Sequence, residues 1–313
     1  MGLIVTNYSW LPVTGFGAHI KSTQKQLIVQ KKNATETYPI DGFTHLLIVG
    51  GHTINSTTVS QLVKKGVFIS FFDPDGSPVG VIQPFGGHGM TELHTLQQSI
   101  PRHRYAIAIA EGSIRSRLLS ITRVQEGHNT NLFYEGELEF LKNAQEELVY
   151  LIKLDEIRRL HRMTSDMYYE IMARDLPPDW GFRRRTDRPH TDPVNAMLSF
   201  GYAMLYGACS VSVIGAFLDP DIGLLHDGRG SLVQDLIEPM KSEMVDRFVF
   251  QIAKNDLNPA DFELTVSRCI LSDDLIRKMI DLFYTTINAE KINEHVSDFC
   301  NSMKNNAEFR VQY

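Results

Sequence analysis

Cysteine is scarce in this chain and odd in number: Cys209, Cys269 and Cys300 stand far apart. That spacing excludes a disulfide framework and a zinc ribbon, and suits a reducing, cytoplasmic setting. Also missing are a Walker A loop, a dinucleotide-binding glycine fingerprint, a nucleophile elbow and an HExxH pair. Their absence removes the common nucleotide-binding, acyl-transfer and zinc-protease chemistries. Positive charge is not in excess, with 31 Lys and Arg against 37 Asp and Glu, a formal net charge of −6. Average charge therefore does not mark a polyanion binder. No basic stretch followed by an apolar run opens the chain, so no secretory signal is expected. Met1-Gly2 with Thr6 matches a myristoylation pattern loosely; the better reading of 3–6 is a first strand. The sequons at Asn33 and Asn55 carry no meaning in a cytoplasmic protein.

Long uncharged runs are limited to one. Between Pro193 and Leu218 no charged residue occurs, a length that suffices to span a bilayer. Asn195, Ser199, Gly201, Tyr202, Gly207, Ser210 and Ser212 interrupt it, no Trp marks its ends, and Asp219 and Asp221 follow at once. A buried core helix is expected, and no membrane. Local charge differs from the average. Arg102–Arg104, Arg115 with Arg117, Arg158 with Arg159 and Arg162, and Arg183–Arg185 with Arg188 form basic clusters in one helical region. Such clusters set the electrostatic footprint of a nucleic-acid binder.

The expected fold class is α+β: a small N-terminal β-domain over 1–85, a linker over 86–92 and a mainly α-helical domain over 93–313. β-branched and aromatic runs at 27–30, 45–49, 67–72 and 79–82 predict strands, with one short helix over 57–65. Asp41-Gly42 and Pro74-Asp75-Gly76 read as turns; Asp73-x-Asp75-Gly76 lacks the rest of a calcium loop. Gly86-Gly87-His88-Gly89 ends this pattern, and helical spacing predicts helices over 92–100, 103–122, 131–174, 193–217, 231–238 and 273–288. Asp192 before Pro193 is a capping carboxylate followed by the residue preset for a first turn.

Candidate chemistry rests on histidine and carboxylates. Ser231 and Gln234 form an S-x-x-Q capping box, which predicts a helix from Leu232. Asp235 and Glu238 then share a helix face, with His226 upstream on a chain turned by Gly228 and Gly230. A histidine with carboxylate oxygens suits Mn²⁺ or Mg²⁺ better than a thiolate-seeking metal. Spacing alone equally admits a solvated carboxylate face with His226 capping a turn. In the segment 157–169, Leu160, Met163, Thr164, Met167 and Tyr168 fall on one face, and a histidine beside it, His161, reads by itself as structural.

Three stretches carry a resemblance to a known family. Asp192-Pro193-Val194-Asn195-Ala196-Met197-Leu198-Ser199-Phe200-Gly201-Tyr202-Ala203-Met204-Leu205, the turn Leu218–His226, and Ser231–Glu238 resemble motifs of the CRISPR-associated integrase-nuclease, the first universal Cas protein. Gly66–Asp73 and Leu257–Glu263 extend the similarity along nearly the whole chain. The resemblance implies a β-rich domain that forms a homodimer and a helical domain that carries the metal. It also implies DNA, branched or double-stranded, as substrate, and the second universal Cas protein as a bridging partner.

Of the family's ligands, the histidine falls on His226 and the last acid on Glu238, with Asp235 as the neighbouring carboxylate. The remaining ligand, a glutamate, falls on His161, and Arg162 and Asp166 also depart from the family's helix. An imidazole there makes the site less suited to Mg²⁺ and dependent on pH. Arg158, Arg162, Arg183, Arg184 and Arg185 are the candidates for phosphate contacts. Two functions follow: a metal-dependent endonuclease/integrase that inserts spacer DNA by transesterification, with His226, Glu238 and Asp235 catalytic; or an architectural, DNA-binding paralogue impaired by His161. A phosphohydrolase of small substrates is disfavoured by the basic clusters.

Overall fold

The computed structural model describes residues 8–32, 34–85, 91–127 and 131–313. The expected first strand over 3–6 and the glycine-rich break at 86–89 lie outside these residues. Strand-forming sequence near the start and amphipathic sequence beyond it give an α+β fold: a β-rich N-terminal region followed by a mostly helical one.

Two four-stranded sheets make up the β-rich region. The first has the order β1 (Trp10–Thr14), β5 (His45–Val49), β7 (Phe68–Phe72), β8 (Pro78–Ile82), parallel except for β8. The second runs β4 (Ala34–Pro39), β3 (Gln26–Lys31), β2 (His19–Ser22), β6 (Thr53–Ile54). Strands β1, β2, β4 and β6 were not predicted. Pro12 interrupts β1, β2 offers the single apolar residue Ile20 between His19 and Lys21, β4 is mostly polar around Glu36, and β6 has only two residues. Ile20, Leu27, Val29, Leu46, Ile48 and Ile69 meet in one core, closed by Leu62 from α1 (Ser56–Lys64). The Asp73–Gly76 segment is the expected turn, with the Gly76 amide donating to Asp73 O at 2.9 Å.

The helices are α2 (Thr91–Ser99), α3 (Arg102–Gln125), α4 (Glu137–Glu147), α5 (Leu154–Ala173), α6 (Pro193–Gly215), α7 (Ser231–Ile237), α8 (Arg247–Asn255), α9 (Asp273–Thr286) and α10 (Ala289–Asn305). A short hairpin, β9 (Phe262–Leu264) and β10 (Cys269–Leu271), precedes α9. The helix expected over 131–174 is two helices, because Leu151 and Lys153 are extended. The break lets both α4 and α5 pack on α3, which one straight rod does not allow. Neither α8 nor α10 was predicted.

Packing divides the chain differently from the 1–85, 86–92 and 93–313 stretches. One unit gathers the described residues up to Ile100 with Tyr206–Ile222 and Ala289–Glu308. The other comprises Pro101–Leu205, Gly223–Asn288 and Phe309–Tyr313. In the first, Asn293 of α10 accepts from Trp10 Nε1 at 2.9 Å and from Ser212 Oγ at 2.7 Å, which ties α10 to β1 and to the end of α6. Gly207 admits the β7–β8 turn: a Cβ there would lie 1.7 Å from Asp75 O.

Helix α6 has the length and apolarity to cross a membrane. Val194, Met197, Leu198, Leu205, Cys209 and Val213 are nonetheless buried, as a core helix requires. Asp192 caps it as expected, its Oδ1 accepting from the Asn195 amide at 2.7 Å.

Candidate active site

The site lies wholly within the second unit, where α3, α5, α7 and the turn after α7 meet. Helix α3 buries a polar stripe among small and apolar residues: Ser113, Ser116, Arg117 and Ser120 recur at helical spacing on the inward face. Opposite Ser113 and Arg117, α5 supplies His161, which is buried.

Helix α7 begins at Ser231 behind Gly230, which holds a left-handed φ of 69°, and no side chain caps it. The expected S-x-x-Q capping box is therefore not formed. Ser231 is buried and Gln234 exposed, so the two side chains point apart. Neither carboxylate of α7 and its extension is a solvated face: Asp235 and Glu238 are both buried.

Asp235 organises His226. Its Oδ2 accepts from the amides of Leu224 and Leu225 at 2.6 and 2.8 Å, and its Oδ1 lies 2.6 Å from His226 Nδ1. Nδ1 is thereby the protonated nitrogen, and Nε2 carries the open lone pair. The hydrogen bond to Asp235 raises the His226 pKa, against the lowering effect of burial. The loop is braced from outside: Arg158 Nε donates to Leu225 O at 2.5 Å, and Arg102 Nη2 to His226 O at 3.0 Å. Both arginines also pair with Asp227, Arg102 at 2.8 Å.

Glu238 meets two cations. Its Oε2 accepts from Arg117 Nη2 at 3.1 Å, and its Oε1 from Lys241 Nζ. Burial pushes the Glu238 carboxyl up, but Lys241 and Arg117 outweigh it and hold the group well below the usual carboxylate range. Arg117 also donates to Ser113 Oγ at 2.6 Å and reaches His161 Nε2 at 3.3 Å. His161 Nε2 also lies 3.1 Å from Ser113 Oγ. A guanidinium has no lone pair to offer, so toward Arg117 Nε2 can only accept, which puts the ring proton on Nδ1. Burial, with Arg117 adding to it, lowers the His161 pKa to about 3, so the ring is neutral.

Beyond Lys241 the polar network continues inward. Lys241 Nζ lies 5.0 Å from the centre of the Tyr202 ring, and Tyr202 donates to buried Asp246 while its hydroxyl meets that of Tyr169 at 2.6 Å. Gly201 permits this packing: a Cβ there would meet Val245 at 2.5 Å, in the π-helical turn Ser242–Asp246.

Of the residues expected to form the centre, His161, His226 and Glu238 do converge. His161 Nε2 is 3.7 Å from Glu238 Oε2, and the two imidazole rings are 6.2 Å apart. Asp235 stands behind His226 rather than beside Glu238. Among the expected phosphate contacts, Arg162, Arg183 and Arg184 are exposed, whereas Arg158 braces the His226 loop and Arg185 donates to Asn195 and Ser199. Sequence reasoning missed Arg117 as a site residue, and Lys241 entirely. The signal for Arg117 was the serine-lined stripe on α3.

As arranged, these residues do not fit a divalent cation. The single carboxylate that faces His161 is bonded on both oxygens, and the Nε2 that would ligate is already an acceptor. An ion ~4 Å from a guanidinium is repelled by roughly 8 kcal/mol at an effective dielectric of about 20. No group of three or more His, Cys, Asp or Glu able to hold a metal occurs among the described residues.

Comparison with known proteins agrees with this architecture. A family model described as CRISPR associated protein Cas1 matches residues 11–285. A putative CRISPR-associated endonuclease Cas1 of Methanospirillum hungatei is 41% identical over 95% of this chain and 98% of its own length. A CRISPR-associated endonuclease Cas1 of Thermus thermophilus is 29% identical over 87% of this chain and 85% of its own. Among solved structures, a partial Cas6-RT-Cas1–Cas2 complex superposes with a TM-score of 0.80 at 20% identity, covering 98% of this chain and 99% of that one. A casposase bound to its integration product gives a TM-score of 0.80 at 17% identity, with the same coverage of 98% and 99%. The continuous match across both the β-rich and the helical parts, and not the centre alone, places this chain in the Cas1 family.

Proposed function

We propose that this chain serves CRISPR spacer acquisition as a DNA-binding Cas1 subunit whose role is architectural and whose nuclease and integrase chemistry is impaired. The observation that carries this reading is the Glu238 carboxylate, closed off by Arg117 and Lys241 where the family's chemistry calls for an open metal ligand. DNA, branched or double-stranded, is held through its phosphates by exposed arginines such as Arg162, Arg183 and Arg184. A homodimer bridged by a Cas2-type partner in the cytoplasm belongs to the same reading, supported by the fold shared with a Cas1–Cas2 complex.

A second reading, a metal-dependent endonuclease/integrase using Mn²⁺ or Mg²⁺, is favoured by the intact His226–Asp235 pair and by the name of the 41% identical relative. One experiment separates them: strand transfer and nicking of branched DNA in either metal, beside DNA-binding titrations. The architectural reading expects salt-dependent binding with turnover at background. Robust turnover that EDTA and His226→Ala both abolish would overturn it.

A further inference from the structure

Arg117 is the most buried cation of the site, with 4% of its side chain exposed. Four neighbours hold it: Ser113, His161, Glu238 and the Tyr168 ring, whose centre is 5.7 Å from the guanidinium carbon. Nη1 faces His161 and Nη2 faces Glu238, so the planar group lies against the same two atoms that a bridging ion would use. Ions such as Mn²⁺ or Mg²⁺ need those atoms at about 2.0–2.2 Å, with their lone pairs directed at the metal. Here the lone pairs are directed at the guanidinium.

Charge gives a second, independent reason. Around Glu238 stand two cations, Arg117 and Lys241, and the imidazole of His161, whose Nε2 faces Arg117 at 3.3 Å. Asp235 accepts from three backbone amides and His226, and Asp246 accepts from Tyr202 on Oδ1 while its buried Oδ2 has no hydrogen-bond partner among the described residues. Of these carboxylates, Glu238 is the one that approaches His161, at 3.7 Å. The one carboxylate that reaches His161 is thus already paired with two cations before any ion enters.

We propose that Arg117, supported by Lys241, is a built-in cation that takes the place of the divalent metal, so that this centre is assembled and held without one. The arrangement explains why a histidine is compatible with the α5 position: a neutral acceptor satisfies the guanidinium, and a second carboxylate is not needed. Arg117 is a positioning residue in this assignment, and the exclusion of metal is a property of the folded chain by itself. The proposal rests on the Cas1 reading for the location of the centre, but its test uses no DNA.

The test is direct binding of Mn²⁺ to the full-length protein, read by the electron paramagnetic resonance of the free ion and by the shift in melting temperature with millimolar Mn²⁺. The expected result is a signal that stays that of the free ion and an unchanged melting temperature. One tightly bound ion per chain that Glu238→Gln removes would overturn the proposal. The double variant Arg117→Gln with His161→Glu is expected to bind Mn²⁺ at least tenfold more tightly and to gain thermal stability from it. A folded double variant that shows no such gain also overturns the role given to Arg117. If that variant does not fold, the wild-type measurement decides alone. Because DNA is absent, failure here leaves the DNA-binding reading standing, and failure of DNA binding leaves this result intact.

Discussion

Arg117 Nη2 lies 3.1 Å from Glu238 Oε2, and the two side chains are only 4% and 10% exposed. A buried pair of this kind stabilises a fold less by its own attraction than by the penalty for separating it. Removing one partner leaves the other charged in a medium that solvates it poorly. Here the consequence reaches His161 as well, whose Nε2 loses a donor.

Arg117→Met is expected to lower stability by roughly 1–3 kcal/mol, the cost of unmade buried hydrogen bonds, because Lys241 still pairs with Glu238. Urea unfolding followed by circular dichroism measures it. A loss below about 1 kcal/mol, the range of exposed pairs, would show that the pair is not buried in solution.

The Asp235 carboxylate holds three consecutive backbone amides and the His226 ring. In Asp235→Asn one oxygen becomes a donor facing donors, so stability should fall by about 1–3 kcal/mol. The His226 pKa should drop as well, because the hydrogen bond to Asp235 is the main cause of its rise. An NMR titration of the ring protons reads this shift; an unchanged pKa would mean that the ring points elsewhere.

Acid should act through His161. Its folded pKa is lowered to about 3 from 6.5, so below pH 6.5 the unfolded chain binds the proton and the folded chain does not. Stability thus rises with pH between about 3 and 6.5 and is lost as pH falls through that window. His161→Gln should flatten this slope in part, with His45 and His295, both buried and pushed down, keeping the remainder. Denaturant midpoints from pH 4 to 7 give the comparison; identical slopes would count against a neutral buried His161.

Arg183→Ala and Arg184→Ala should each weaken DNA binding evenly across sequences and reduce the salt slope by about 1. Arg185→Ala should instead cost stability, since Arg185 donates to Asn195 O, Asn195 Oδ1 and Ser199 Oγ. Fluorescence anisotropy at several salt concentrations, paired with thermal unfolding, separates the two classes. Equal effects of all three on DNA would erase the distinction.

The sequence by itself determined the fold class, the Asp192 cap and the core nature of the apolar helix, and it brought His226 and Glu238 forward as candidates. Each of these depends on local rules or on a compact motif: a capping carboxylate next to proline, an uncharged run broken by small polar residues, a histidine and a glutamate at short separation. The capping box at Ser231 looked equally local, yet it failed because burial of Ser231 and a left-handed Gly230 decided the helix start. What only the tertiary structure decided is the charge of the centre. Arg117 lies 121 residues from Glu238 in sequence and 44 from His161. No spacing rule links them; the packing of α3 against α5 and the turn after α7 does. On the sequence His161 is a lost carboxylate, whereas in the folded chain it is the neutral acceptor that a buried guanidinium requires.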